Sequence, residues 1–180
     1  LAVMLVLQYD FETLCQTASR LQPVTGRMEC FGNSQQPLVV VDYAHTPDGL
    51  EKALQAARQH CHGRLFCIFG CGGDRDRGKR PQMAAIAEQW ADTIILTDDN
   101  PRTEDPAVII ADMCAGLQKP AQAHIEHSRT RAIELALSQA IAGDIILLAG
   151  KGHEDYQIVG KEKRHYSDRE TVMQLLGATS

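Results

Sequence analysis

Thr97-Asp98-Asp99-Asn100-Pro101-Arg102 gathers carboxylates, a carboxamide and a guanidinium into one short stretch. It follows the apolar run Thr93-Ile94-Ile95-Leu96 and precedes a helical pattern that begins near Pro106. A polar loop between a strand and a helix is where an open α/β sheet usually holds its ligand. Asp99 and Asn100 can grip an ammonium group and its neighbours, while Arg102 offers a planar fork for a carboxylate. Such a loop suits a zwitterionic, amino-acid-like ligand. Asp, Asn and Pro are also turn formers, so on this loop alone both readings stand.

Other stretches have the same character. Gly73 to Arg80 matches the phosphate-loop spacing up to its last position, where Arg80 replaces the hydroxyl that binds magnesium. Asp74 and Asp76 would also face the phosphates, so a phosphate loop is rejected. Arg75 stands where the dinucleotide fingerprint needs its third glycine. Arg75, Arg77, Lys79 and Arg80 can still receive anions, the alternative being a solvated charged loop. His45 and His153 lie just beyond strand ends, where an imidazole can touch a ligand or a phosphate. Gly150 and Gly152 permit close approach of backbone to ligand, and Glu154 can take an ammonium that Asp99 does not.

The elements that must position these loops follow from the periodicity. Leu38-Val39-Val40-Val41, Leu65 to Phe69, Thr93 to Leu96 and Ile145 to Ala149 are continuous apolar runs, as expected of strands covered on both faces. Between them lie helical stripes: Leu50, Ala53, Leu54, Ala57 and Cys61; Met83, Ile86, Ala87 and Trp90, from Pro81; Ile109, Met113 and Leu117; Ile133, Ala136, Leu137 and Ala140. Thr46-Pro47-Asp48 reads as a helix start, and Ser128 as an N-cap. A weaker strand is expected near Ala123-His124-Ile125. Tyr156 to Val159 and Lys163 to Tyr166 flank a Gly-Lys turn and predict a hairpin, and Ser167-Asp168-Arg169-Glu170 is a capping box for a last helix. Strands separated by helices imply βαβ crossovers and a mainly parallel sheet. In such a sheet Asp42-Tyr43-Ala44-His45, Gly70 to Arg80, Asp98 to Arg102 and Gly150 to Glu154 all emerge at one carboxyl edge. Their convergence there favours a site over a set of ordinary turns.

With 180 residues the chain can bury one full domain with an appendage. Its net charge of −5 argues against a general nucleic-acid binder. No apolar run approaches the roughly 20 residues of a membrane span, and Leu1 to Leu7 lacks the basic lead-in and cleavage site of a signal peptide. The scattered cysteines include no CxxC pair, so no metal site is expected, and free thiols point to the cytoplasm. Phe11, Leu14, Cys15, Ala18 and Leu21 form a helical stripe too short to bury itself. Residues 1–22 are therefore assigned to the tail of a preceding domain, with Gln22 to Gly26 as the linker and residues 23–180 as the α/β domain. The chain reads as a piece of a longer protein.

Gly26-Arg27-Met28-Glu29, Asp42-Tyr43-Ala44-His45-Thr46-Pro47, Phe69 to Asp76, Asp99-Asn100-Pro101-Arg102 and Gly150 to Glu154 occur in this order in the Mur ligases, which the chain resembles over essentially its whole length. The pattern is most similar to members that add meso-diaminopimelate to UDP-N-acetylmuramoyl-L-alanyl-D-glutamate. The resemblance implies a C-terminal, Rossmann-like domain with helices on both faces of a mainly parallel sheet and a C-terminal hairpin and helix. It makes residues 1–22 the tail of a central ATPase domain. It implies amide formation, in which ATP phosphorylates the D-glutamyl side-chain carboxylate and the incoming amine attacks. Arg75, Asp99, Asn100, Arg102, Gly150 and Glu154 match positions that hold diaminopimelate, and Arg27, Asp42, Tyr43 and His45 match positions that meet the nucleotide. Catalytic residues, ATP and Mg2+ belong to the upstream part of the full-length enzyme, so this stretch alone is expected to be inactive. The implied partners are meso-diaminopimelate, the UDP-N-acetylmuramoyl dipeptide and ATP, acting on a monomer, with no nucleic acid or membrane. Lysine-adding relatives lack the arginine matched by Arg102. A ligase for lysine or another amino-acid substrate and a non-catalytic binding module are the alternatives.

Overall fold

A computed structural model describes residues 4, 6–18 and 24–177. Helix α1 (Phe11–Ala18) carries the first stripe and buries Leu14. Leu21 and the start of the expected linker lie outside the described residues. From there the chain runs β1 (Glu29–Phe31), β2 (Leu38–Asp42), α2 (Pro47–His60), β3 (Leu65–Phe69), α3 (Lys79–Trp90), β4 (Thr93–Leu96) and α4 (Pro106–Cys114). It continues with β5 (His124–Ile125), α5 (Arg129–Gln139), β6 (Ile145–Ala149), the pair β7 (Tyr156–Val159) and β8 (Glu162–His165), and α6 (Asp168–Gly177).

Six strands form one sheet in the order β1-β2-β6-β3-β4-β5, parallel except for β1, and β7-β8 make a separate antiparallel hairpin. Successive side chains point to opposite faces of a strand, so each apolar run feeds two cores. Leu65, Cys67 and Phe69 join Leu147 and Leu96 under Leu50, Leu54, Met83, Ala87, Ile109 and Met113, from α2, α3 and α4. Phe66 and Ile68 join Val39, Val41, Ile146 and Leu148 under Ala132, Ile133 and Ala136 of α5 and Val172 of α6. Each fully buried Leu, Ile or Phe contributes roughly 1.5–3 kcal/mol. The side on which a helix lies follows from handedness. The path β2 to β5 advances one way across the sheet, then β6 returns to insert between β2 and β3. A right-handed crossover in the reverse direction must cover the other face.

The helix starts are chemical. Thr46 Oγ1 accepts from Gly49 N at 3.2 Å, Asp105 Oδ1 from Ala107 N at 2.9 Å and Ser128 Oγ from Arg131 N at 3.4 Å. Some sequence expectations are revised. Helix α3 begins at Lys79, not Pro81, because a proline in the first turn removes only an N–H that lacks a helical partner anyway. Helix α4 ends at Cys114, and Leu117 packs from the turn beyond it. The capping box at Ser167 is half used: its hydroxyl accepts from Glu170 N at 3.4 Å, but Glu170 Oε2 meets His165 Nε2 at 2.7 Å.

Candidate functional site

The four βα loops meet at the carboxyl edge of the sheet. Arg75, Asp99, Asn100, Arg102, Gly150 and Glu154 line a single cleft of about 390 Å³, with Tyr43 and His45 on its rim. β6 lies between β2 and β3, so the loop after β6 is inserted between the other loops. That is the topological switch point at which parallel sheets open a crevice.

The floor of the cleft is organised by Lys151, to which sequence reasoning gave no role. Its side chain is fully buried. Nζ donates to Tyr156 O at 2.8 Å and Asn100 Oδ1 at 3.2 Å. It also lies 3.1 Å from Asp99 Oδ1 and 3.7 Å from Glu154 Oε2. The Asp99 contact is an ion-pair distance without hydrogen-bond alignment, since Oδ1 has no hydrogen-bond partner. Asn100 is committed within the protein. Its Oδ1 accepts from Lys151 and from Ile158 N at 2.9 Å, which fixes the amide orientation and turns Nδ2 toward Glu154 Oε2 at 3.1 Å. Asn100 thus spaces Glu154 from Lys151, and Asp99 and Glu154 present the acidic wall.

Arg102 is held by its backbone. The hairpin clasps it through a parallel bridge to Val159, with Arg102 N donating to Ile158 O at 3.0 Å and Gly160 N donating to Arg102 O at 2.6 Å. The clasp holds a non-glycine residue at φ +52°, a conformation that costs on the order of 1 kcal/mol or more. Nη1 donates to Gly73 O at 2.9 Å and Asn100 O at 3.4 Å. Among the described residues no carboxylate pairs with this guanidinium, and Arg75 has neither a hydrogen bond nor an ion pair. Gly72 makes room for both, since a Cβ there would lie 2.9 Å from Arg102 Nη1 and 3.6 Å from Arg75 Cγ.

Arg80, on the Gly70 to Arg80 loop, is consumed, which corrects the expectation that it could receive anions, whereas Lys79 lines the cleft beside Arg75. Arg80 is fully buried and pairs with Glu104 at 2.8 Å and Asp112 at 2.8 Å. Arg77 pairs with Asp112 at 3.0 Å, and Lys79 Nζ donates to His45 O at 2.7 Å. The Arg80 guanidinium beside Glu104 holds that carboxyl down at about 2. Cys71, on the same loop, is buried and its thiol is pushed up to about 12.

A second pocket of about 320 Å³ shares Tyr43 and His45 with the cleft and is also lined by Arg27, Asp42 and Lys52. The Arg27 guanidinium lies 4.7 Å over the Tyr43 ring, which is flanked by His45 at 4.6 Å and His153 at 5.0 Å. Asp42 shapes this pocket, accepting from Ala44 N and Met28 N, both at 2.8 Å. All the residues matched to nucleotide contact therefore surround one space adjoining the cleft.

Behind the loops Arg129 at the start of α5 forms a buried two-point pair with Asp168 at 2.7 and 2.8 Å and donates to Ala149 O at 2.9 Å. Burial opposes the Arg129 charge, but Asp168 more than offsets this and holds the guanidinium above its ordinary value. Burial raises the Asp98 carboxyl, although its partner His127 at 2.8 Å pulls the other way. Among the described residues, no group of His, Cys, Asp and Glu is placed to hold a metal ion.

A mainly parallel sheet with helices on both faces defines a Rossmann-like domain, and its carboxyl edge carries a mixed-charge cleft. Residues 26–152 match the family described as Mur ligase, glutamate ligase domain, and the chain belongs to that family. It is 64% identical over 176 residues to the UDP-N-acetylmuramoyl-L-alanyl-D-glutamate--2,6-diaminopimelate ligase of Vibrio cholerae serotype O1, covering 98% of this chain and 36% of the relative. The ligase of the same name from Vibrio parahaemolyticus serotype O3:K6 is 62% identical over 179 residues, covering 99% of this chain and 36% of that protein. The chain thus spans 36% of the length of these curated relatives. A solved structure of a ligase so named superposes with a TM-score of 0.83 at 43% identity, covering 96% of this chain and 35% of that one. A bifunctional folylpolyglutamate synthase/dihydrofolate synthase from Yersinia pestis, complexed with AMPPNP and Mn ion, shares the fold. Its TM-score is 0.59 at 17% identity, covering 87% of this chain and 32% of that chain.

Proposed function

We propose that this chain is the amino-acid-binding C-terminal domain of an ATP-dependent ligase that adds meso-diaminopimelate to UDP-N-acetylmuramoyl-L-alanyl-D-glutamate. The observation that carries the reading is Arg102: a guanidinium without a carboxylate partner, in one cleft with Asp99 and Glu154. Diaminopimelate bears a carboxylate and an ammonium at each end, and lysine lacks the distal carboxylate. Arg102 pairs with that carboxylate, Asp99 and Glu154 take the adjacent ammonium, and Arg75 steers the remaining carboxylate. Gripping one end leaves the other amine free to project from the cleft. Asn100 and Gly150 serve by shape, Asn100 by spacing Glu154 and Gly150 by its φ of +116°.

Arg27, Tyr43, His45 and Lys52 offer cations, a ring and an imidazole in the adjoining pocket, which suits the edge of a nucleotide. ATP with Mg2+, when bound, supplies the phosphoryl group that activates the D-glutamyl carboxylate. The Gly73 to Arg80 loop provides no phosphate cradle, because Arg80 fills the hydroxyl position and is buried in ion pairs. Residues 1–22 are the tail of the ATPase domain in this reading.

The full-length enzyme tests it. With ATP and the UDP-N-acetylmuramoyl dipeptide, ADP should form with diaminopimelate. Its kcat/KM should exceed that for lysine by about 30-fold or more, the loss expected for a missing partner in a desolvated charge pair. Equal use of the two amino acids would overturn the assignment.

A further inference from the structure

Lys151 is the one fully buried lysine among the described residues, and it stands under the cleft instead of in it. Four groups from three chain segments converge on its ammonium: Asp99 and Asn100 from the loop after β4, Glu154 from its own loop, and the Tyr156 carbonyl from the hairpin. Burying a lysine costs several kcal/mol unless its charge is matched, so a lysine here is not neutral filling. Two carboxylates facing one cleft repel each other unless a cation lies between them. Lys151 supplies that cation from below, which leaves the upper side of Asp99 and Glu154 open.

We infer that Lys151 is a positioning residue for the amino-acid site: it holds Asp99 and Glu154 side by side in the arrangement that receives the substrate ammonium, without touching the substrate itself. The inference rests on the proposed function above. The Asp99 contact supports it, because the ammonium lies 3.1 Å from Oδ1, the carboxylate oxygen closed to solvent, so Lys151 meets Asp99 on its buried side. The Asn100 bridge supports it as well, since that amide accepts from Lys151 and donates to Glu154, fixing the distance between cation and acid. Arg129, buried behind the loops, also acts electrostatically on Asp99, and the Tyr156 and Tyr166 rings lie 6.0 and 5.9 Å from Nζ.

The test uses the full-length enzyme with Lys151→Gln, which keeps a donor for Tyr156 O or Asn100 Oδ1 but removes the charge, and Lys151→Arg, which keeps the charge. Lys151→Gln should raise KM for diaminopimelate by about 30-fold, the scale for stripping one side of a buried charge pair. KM for ATP and kcat at saturating diaminopimelate should stay within about threefold of the native values, a change of well under 1 kcal/mol. Lys151→Arg should recover part of the lost affinity. A native KM for diaminopimelate in Lys151→Gln would overturn the inference, as would a parallel rise in both KM values. Loss of the cooperative thermal transition in both variants would make Lys151 a folding residue and overturn the inference too. Failure of the native enzyme to use diaminopimelate would instead overturn the proposed function, so the two failures are distinguishable.

Discussion

The carbonyl oxygen of Pro101 occupies the space that a side chain on Gly73 would need: a Cβ there would lie 1.9 Å from it. Gly73 N also donates to Asn100 O at 2.9 Å, so the loop after β3 lies directly against the loop after β4. Gly70, Gly72 and Gly73 serve loop-to-loop packing, against Thr97, Arg102 and Pro101. Gly73→Ala must separate the two loops, and overpacking of this kind costs about 1–3 kcal/mol. A lower urea midpoint together with a raised KM for the amino acid is expected. A variant with native stability and native KM would show that the contact is dispensable.

The Arg129–Asp168 pair is almost completely buried, with side-chain exposures of 1% and 0%. Removing one partner leaves an uncompensated buried charge. Arg129→Met should therefore lower unfolding free energy by about 3–5 kcal/mol. Replacing both residues, as Arg129→Met with Asp168→Leu, should cost less than the sum of the single changes. Chemical denaturation of the three variants checks this, and strict additivity would contradict it.

Acid sensitivity follows from Glu104. Arg80 holds its carboxyl at about 2 in the folded protein against an ordinary 4.5. Because the folded value is the lower one, the stabilisation is complete above about 4.5 and is lost as pH falls through about 2. Glu104→Gln should be less stable than the native chain at neutral pH, and the gap should close across this window. Urea midpoints of both proteins from pH 7 down to about pH 2 measure it. A constant gap would mean that the carboxylate charge contributes nothing.

Elements that bury their own periodic face could be read from the sequence. The apolar run Leu65 to Phe69 and the stripe Leu50, Ala53, Leu54 and Ala57 each carry their period locally, and each lies where that period requires. Strand β1 is three residues long and exists through its pairing with Val39 to Val41, so no local pattern marks it. The same distinction runs through the site. Asp99, Arg102 and Glu154 were legible because strand ends direct loops to a common edge. Lys151 was not, since a lysine between glycines looks solvent-facing until loops distant in sequence close over it. Arg80 was misread as an available cation for the same reason, its partners Glu104 and Asp112 lying 24 and 32 positions along the chain. The hairpin was visible as two strands and a turn, but its clasp on Arg102 required the tertiary fold.

Selectivity at Arg102 tests the central claim most directly. In the full-length enzyme, kcat/KM is measured for diaminopimelate and for lysine, with and without Arg102→Ala. Shortening the side chain leaves the distal carboxylate without its partner, a loss of roughly 2–5 kcal/mol or about 30-fold and more for diaminopimelate. Lysine has no carboxylate at that end, so its poor use should stay the same or improve. An unequal loss that falls on diaminopimelate is the predicted result. An equal loss for both amino acids would mean that Arg102 braces Gly73 and the hairpin rather than reading the substrate, and would contradict the account.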